Sequence, residues 1–273
     1  MTEPGLAAGL ARARALLAEA ERVLVLTGAG ISADSGVPTF RGPGGLWKDF
    51  RPEDLATPEA FERDPRLVWE WYGWRREVVS GCRPNAAHVS LARWQARAPG
   101  RIRIATQNVD GLHSLAAVEG STDGTTDPSA DLAEVHGTLF GSRCNGCGLR
   151  FTDRATVDAT AIGTLPACAS CDSLLRPDVV WYGEALDPAV IELAFRWAAE
   201  ADACLVIGTS ALVHPAASLP SVTRENGGSI VEVNPEATPL TAHATVSLRG
   251  GAAATVPSIV PLPPTTPITA DSP

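Results

Sequence analysis

Apolar residues in this chain follow two rhythms. Leu6, Leu10, Leu16 and Leu17 recur at helical spacing on one face, with Arg12, Arg14 and Glu19 mostly off it, which predicts a first helix. Short runs with almost no polar interruption follow at Val23 to Leu26, Ile102 to Ala105, Ala203 to Ile207 and Ser229 to Val233. Strands buried on both faces of a parallel sheet read this way. Helical stretches alternate with them, among them Pro188 to Glu200 and Pro215 to Glu225. This alternation predicts an α/β fold with a Rossmann-like, doubly wound parallel sheet.

Two stretches break the alternation and predict a smaller inserted domain. One is helical, with a helix expected from Trp69 to Val79, and the other carries four cysteines. The expected division assigns residues 1–40, 86–140 and 184–255 to the large domain, 41–85 to the helical insert and 141–183 to the cysteine module. Glu119 to Asp131 and the Pro/Thr-rich tail 256–273 hold few of the apolar residues that offset chain entropy, so both are expected to be disordered.

Composition narrows the function classes. A chain of 273 residues accommodates one sizeable domain plus a small insert. The net charge of −9, without a basic stripe, argues against nucleic acid as a partner. The chain shows no apolar run of membrane-spanning length and no signal-peptide pattern. Six cysteines in a chain this long do not read as a disulfide scaffold, and the expected compartment is the cytosol. The expected state is a monomer. Lys48 is the only lysine.

Candidate chemistry begins with those cysteines. Cys144 and Cys147 form one C-x2-C, Cys168 and Cys171 a second, the spacing that brings four thiolates to one tetrahedral zinc. Four thiolates close the coordination shell, so the metal is expected to be structural. Gly28, Gly30 and Ala33 satisfy G-x-G-x-x-A directly after an apolar run, as a phosphate-cradling turn at a helix N-terminus does. A plain strand–helix turn reads the same way. No second strand ending in an acidic residue follows about twenty residues on, unlike an ordinary dehydrogenase. TQNVDGLH (Thr106 to His113), GTS (Gly208 to Ser210) and NPE (Asn234 to Glu236) each follow a predicted strand, at the edge where such sheets bind ligands. Any of His88, His113, His136, His214 and His243 could serve as a base, and residue chemistry alone does not choose among them.

Taken in order, GAGISADSGVPTFRG, TQNVDGLH, EVHG, the cysteine quartet, RPDVVWYGE, GTSALVHPA and VNPE resemble the sirtuins, the NAD-dependent protein lysine deacylases. The resemblance implies NAD and an acyl-lysine meeting in a cleft between the domains. It implies that His136 is the general base and that Gln107, Asn108 and Asp110 bind and orient the nicotinamide ribose. Gly28, Ala29, Gly30 and Arg41 would line the cofactor site, and Phe40 would cover the reactive anomeric carbon. Gly208, Thr209, Ser210 and Asn234 would contact the phosphates and the adenosine ribose. Val179, Val180, Trp181, Tyr182 and Gly183 would pair with the substrate peptide as an added strand. The acyl oxygen would attack C1′ of the ribose as nicotinamide leaves, and O-acyl-ADP-ribose and free lysine would follow.

Two details resemble the class III sirtuins, which remove succinyl, malonyl and glutaryl groups. Thr39 stands where deacetylase-type members usually carry aspartate, and Tyr72 and Arg75 form a Y-x-x-R at i, i+3 on the predicted helix. A guanidinium there could grip a distal carboxylate, with the phenol as a second donor. A deacetylase or ADP-ribosyltransferase of the same family is the alternative, and a catalytically silent zinc-and-nucleotide module is another. The acidic 119–131 stretch, absent from the usual family pattern, is expected to lie near the cleft.

Overall fold

The computed structural model describes residues 3–38, 50–120 and 130–261. Three parallel strands, β1 (Val23–Thr27), β2 (Ile102–Thr106) and β3 (Leu132–Glu134), form one half of the main sheet. A separate antiparallel sheet follows, made of β4 (Gly137–Cys144), β5 (Arg150–Thr152) and β6 (Leu175–Val179). The chain then returns to the main sheet with β7 (Ala203–Ile207), β8 (Ser229–Val233) and β9 (Val246–Leu248).

The six-stranded order is β3-β2-β1-β7-β8-β9, all pairs parallel. Counted along this sheet alone, it is the 3-2-1-4-5-6 order of a Rossmann fold, with the chain reversing direction between β1 and β7. All five residues of β1 and of β7 are buried, because both faces of the sheet are covered. Ala13, Leu17, Leu91, Trp94, Val256 and Ile259 belong to the cluster on one face, and Ala194, Trp197, Ala198 and Leu219 to that on the other.

The nine helices of the described residues are α1 (Glu3–Glu19), α2 (Pro52–Leu55), α3 (Pro58–Arg63), α4 (Pro65–Ser80), α5 (Ala86–Arg97), α6 (Leu112–Gly120), α7 (Pro188–Glu200), α8 (Leu219–Glu225) and α9 (Ala252–Ile259). Local chemistry starts several of them. The side chains of Thr57, Asp64 and Asp187 each accept a backbone N–H of the first turn, and proline follows each at the first helical position. Helices α2 to α4 and the antiparallel sheet share one core, in which Phe61, Trp69, Trp71 and Tyr72 meet Leu139, Leu175, Val179 and Trp181.

Three expectations need correction. The tail does not begin at Val256: that residue is buried in α9, as are Ile259 and Val260, because they close the core cluster beside α1 and α5. Glu119 and Gly120 complete α6, and Asp131 is anchored, its Oδ2 accepting Gly100 N at 3.0 Å and its carbonyl accepting Ile104 N at 2.8 Å. Residues 121–129 and 262–273 lie outside the described residues. The glycine-rich turn runs into two short 3-10 turns, Ala29–Ile31 and Ala33–Ser35, rather than directly into an α-helix. No helix of the described residues is long and apolar enough to cross a membrane.

Candidate active site

The reversal between β1 and β7 opens a crevice at their carboxyl ends, and two glycine turns face each other there. Gly30 N donates to Gly208 O at 2.8 Å. A Cβ on Gly30 would stand 2.7 Å from Gly208 Cα, and one on Gly208 (φ +59°) would stand 2.5 Å from the Gly30 carbonyl carbon. Only residues without a side chain let the two loops approach so closely. Gly28, Ala29, Gly30, Gly208, Thr209 and Ser210 are thereby collected at one edge. Thr209 is its hub: its Oγ1 accepts Gln107 Nε2 at 3.0 Å and its carbonyl accepts Asn234 Nδ2 at 2.7 Å. Those two bonds tie the ends of β2 and β8 to that of β7.

Below this edge lies a buried polar knot. Asn108 spends both amide hydrogens, on Gly28 O and on Ser32 Oγ, each at 3.1 Å, which leaves its Oδ1 as the acceptor it presents. Ser32 Oγ donates to Asp110 Oδ2 at 2.7 Å, and Asp110 Oδ1 accepts Leu112 N at 2.9 Å. Burial raises the Asp110 carboxyl above its ordinary range, while the Leu112 and Ser32 bonds pull it back. Thr27 Oγ1 donates to Thr106 Oγ1 at 2.8 Å and meets His113 Nε2 at 3.0 Å. His88 packs edge-on against His113, ring centroids 4.9 Å apart.

The knot sorts the five histidines. His88 and His113 are buried, and burial holds both neutral: His88 is pushed down to about 4 and His113 well below 6.5. His214 and His243 are exposed and stand away from the knot, His214 Nδ1 lying 2.9 Å from Ser218 Oγ. His136 alone is half-buried beside the cleft, with Nδ1 2.9 Å from Gln107 O. A carbonyl oxygen only accepts, so Nδ1 carries the proton and Nε2 keeps its lone pair. Burial lowers the pKa of His136, partly countered by the Gln107 bond. Gly137 (φ +78°) follows because a Cβ there would collide with the Asp178 carbonyl, and Val180 N donates to His136 O at 2.9 Å.

Tyr72 and Arg75, on α4, are 0% and 9% exposed, and the two side chains are brought together. The Arg75 guanidinium lies 4.9 Å from the Trp71 ring centroid and 5.3 Å from that of Tyr72. Burial lowers the Arg75 pKa, and the neighbouring Tyr72 and Asp110 raise it again. Trp181 Nε1 donates to the Tyr72 hydroxyl at 2.9 Å.

The four cysteines converge. Their sulfurs lie within 4.8 Å of one another, with Cys144–Cys171 at 3.4 Å and Cys147–Cys168 at 3.7 Å. Tetrahedral zinc with Zn–S near 2.3 Å separates its sulfurs by about 3.8 Å. Gly146 N and Cys147 N each donate to Cys144 Sγ at 3.3 Å, as amides do to a thiolate in a knuckle. The residues fit Zn2+, and the crevice edge fits a dinucleotide such as NAD.

Residues 28–215 match the model of the Sir2 family. The chain belongs to that family.

An NAD-dependent protein deacylase of Thermus thermophilus is 50% identical over 246 residues, covering 89% of this chain and 91% of that protein. NAD-dependent protein deacylase 1 of Archaeoglobus fulgidus is 46% identical, covering 89% and 94%. Among solved structures, a Sir2 homologue–NAD complex superposes with a TM-score of 0.81 at 43% identity, covering 92% of each chain. A Sir2–p53 peptide–NAD+ complex gives 0.75 at 31% identity, covering 89% of this chain and 93% of that one.

Of the residues expected to line the cofactor in this Sir2 protein, Phe40 and Arg41 lie outside the described residues, as does Thr39. The Val179 to Gly183 expectation narrows. Val180 N is spent on His136 O, Trp181 N on Glu184 Oε2 and Tyr182 N on Ala56 O, so these three amides are not donors for an added strand. Thr27, Ser32, Thr106, His88 and His113 were not anticipated as a unit. They lie far apart in the chain, and polar letters inside or just after apolar runs are the one signal they leave. The second missed group surrounds Glu232, a buried carboxylate on β8. It accepts Thr238, Thr241 and Ser247 hydroxyls at 2.5, 2.8 and 2.7 Å and pairs with Arg249 at 3.5 Å. Arg249 also donates to Glu236 O at 2.7 Å, holding the loop that carries Asn234.

Proposed function

We propose that this Sir2-family protein is an NAD-dependent protein lysine deacylase that prefers acyl groups ending in a carboxylate: succinyl, malonyl and glutaryl. The observation that carries the acyl preference is Arg75, a guanidinium buried beside the Tyr72 hydroxyl on α4. A planar guanidinium held there could give a distal acyl carboxylate two parallel charge-assisted hydrogen bonds. An acetyl group offers no carboxylate to receive those bonds.

NAD, when bound, supplies the electrophilic ribose carbon and the ribose hydroxyl that later needs deprotonating. His136 Nε2 is the base for that proton, since Gln107 fixes the tautomer that leaves Nε2 unprotonated. Asn108 and Asp110 orient the nicotinamide ribose, the former through the Oδ1 that its two donated bonds leave as an acceptor. Gln107 joins them at the nicotinamide ribose, and Gly208, Thr209, Ser210 and Asn234 hold the phosphates and the adenosine ribose. Cys144, Cys147, Cys168 and Cys171 would hold zinc in a closed shell, which leaves no position for substrate and makes its role structural.

The test incubates purified protein with NAD and matched acetyl-lysine and succinyl-lysine peptides, both followed by mass spectrometry. Faster succinyl removal, with succinyl-ADP-ribose formed and the preference lost in a Tyr72→Phe, Arg75→Met variant, supports the reading. Acetyl removal alone would discard the acyl preference while keeping the deacylase. No NAD-dependent nicotinamide release with either peptide would discard both.

A further inference from the structure

Tyr72 does not stand alone in the wall it shares with Arg75. Its hydroxyl accepts the indole N–H of Trp181 at 2.9 Å, and its ring is fully buried, edge-on to Trp71 at 4.7 Å. Trp181 is 2% exposed and braced on three sides. Phe61 packs at 5.5 Å between ring centroids, and the Arg176 guanidinium lies 3.2 Å from the ring centroid. The backbone closes the third side, Trp181 N donating to Glu184 Oε2 at 2.8 Å and Glu184 N to Trp181 O at 3.0 Å.

Glu184 is the anchor of this assembly. Its two oxygens accept Arg143 Nη2 at 2.9 Å each, Arg176 Nη1 at 2.5 Å and Arg176 Nη2 at 2.8 Å. Arg176 Nη2 also donates to Val179 O at 3.0 Å, tying the assembly to the end of β6. Arg143 precedes the knuckle residue Cys144 on β4, so the brace begins at the cysteine module and ends at the phenol of Tyr72.

A phenolic O–H lies near the ring plane and has two favoured directions. With a donor fixed on one side of the oxygen, the proton is driven to the other side, and Tyr72 is committed to donating. An indole N–H has no acceptor ability, and neither has the Arg75 guanidinium that also bonds the phenol, so Tyr72 can only donate to a further partner. We infer that Trp181 is a positioning residue for acyl selectivity: its side chain aims the Tyr72 hydroxyl at the distal carboxylate of the acyl group. This role differs from the backbone pairing expected of Trp181 and rests on the acidic-acyl reading above. Arg176 and Glu184 act one step further back, by holding the indole in register.

The test is a double-mutant cycle on the full chain, reading the ratio of kcat/KM for succinyl-lysine to that for acetyl-lysine. Trp181→Phe keeps an aromatic ring against Phe61 and Arg176 and removes the donor together with one ring of the indole. The expected result is a 5- to 20-fold fall in that ratio, carried by KM for the succinyl peptide, on the order of one to two kcal/mol by the tenfold-per-1.4 kcal/mol conversion. In a Tyr72→Phe background, the same substitution should leave the ratio where Tyr72→Phe put it. Trp181→His, which retains a ring N–H, should restore part of the ratio and serves if the phenylalanine variant does not fold. A Trp181→Phe variant that keeps the full wild-type ratio, or lowers it equally in both backgrounds, overturns the inference alone. A wild type that favours acetyl overturns the acidic-acyl reading beneath it, and the inference with it.

Discussion

The imidazole of His136 is tethered to the backbone of Gln107, with Nδ1 donating to the carbonyl oxygen at 2.9 Å. One bond thereby joins the residue after β2 to the residue before β4, and leaves Nε2 as the ring's only acceptor. Burial lowers the His136 pKa below its ordinary value of 6.5, so the base is neutral at neutral pH. The acid limb of kcat/KM, measured from pH 5 to 8, should therefore inflect below 6.5. His136→Gln should cost on the order of 100-fold or more in kcat. A limb at or above 6.5, or a variant that turns over normally, would assign the base elsewhere.

The two buried histidines should appear in stability rather than in rate. His88 titrates at about 4 in the folded chain, against 6.5 for an exposed imidazole. A depressed histidine leaves stability whole above 6.5 and loses it as pH falls toward 4, because the unfolded chain takes up the proton first. For His88 the full swing is on the order of 3 kcal/mol. Glu134, pushed up to about 7 by burial and by Asp110 and Asp178, titrates in the opposite sense. Comparing wild type with His88→Gln cancels that contribution. Urea unfolding of both at pH 7, 6, 5 and 4 should show the wild type losing its advantage steadily with acid; a constant difference would mean that His88 is not held neutral.

Gly208→Ala tests the closeness of the two glycine turns. The new Cβ would meet backbone atoms of Gly30 and Ile31, each at 2.5 Å, from a residue at φ +59°. Backbone cannot rotate away, so the expected cost is about 2–4 kcal/mol, or roughly 5–15 °C in Tm. Calorimetry measures the first effect and NAD titration the second, where affinity should fall together with Tm. An alanine variant with wild-type Tm would show that the loops separate easily.

Metal content tests the cysteine cluster independently of turnover. Elemental analysis should find one zinc per chain, and Cys144→Ser should lose it with a Tm lowered by several degrees. Activity should fall too, because β4 runs from Gly137, the neighbour of His136, to Cys144 itself. Full zinc occupancy in the serine variant would place the metal elsewhere.

Much of the fold is legible because burial on two faces leaves an unmistakable trace. VLVL and ACLVI are short and wholly apolar, and IRIA is broken only by Arg103; alternating with helical stretches they read as sheet strands, each located to within a residue or so. The edge strands β3 and β9 are three residues each and carry no such run. The antiparallel sheet is harder still, since β5 is exposed throughout and β6 contains Pro177. Helix α9 was missed because Pro257 sits inside it and its core contacts come from α1 and α5.

By itself, the order of residues determined the parallel α/β sheet, the cysteine spacing that converges on one metal, and the glycines at two strand ends. Those features are local: each is written in neighbouring letters, because a strand, a knuckle or a turn closes over a few residues. Tertiary structure decided everything that depends on distant residues meeting. It brought Thr27, Ser32, His88, Asn108 and His113 into one knot and left His136 as the half-buried histidine whose Nε2 is available beside it. It also set Trp181 against Tyr72, 109 positions apart in the chain. Hydrogen bonds act over about three ångströms and are indifferent to sequence separation. Only the folded chain decides which donors reach which acceptors.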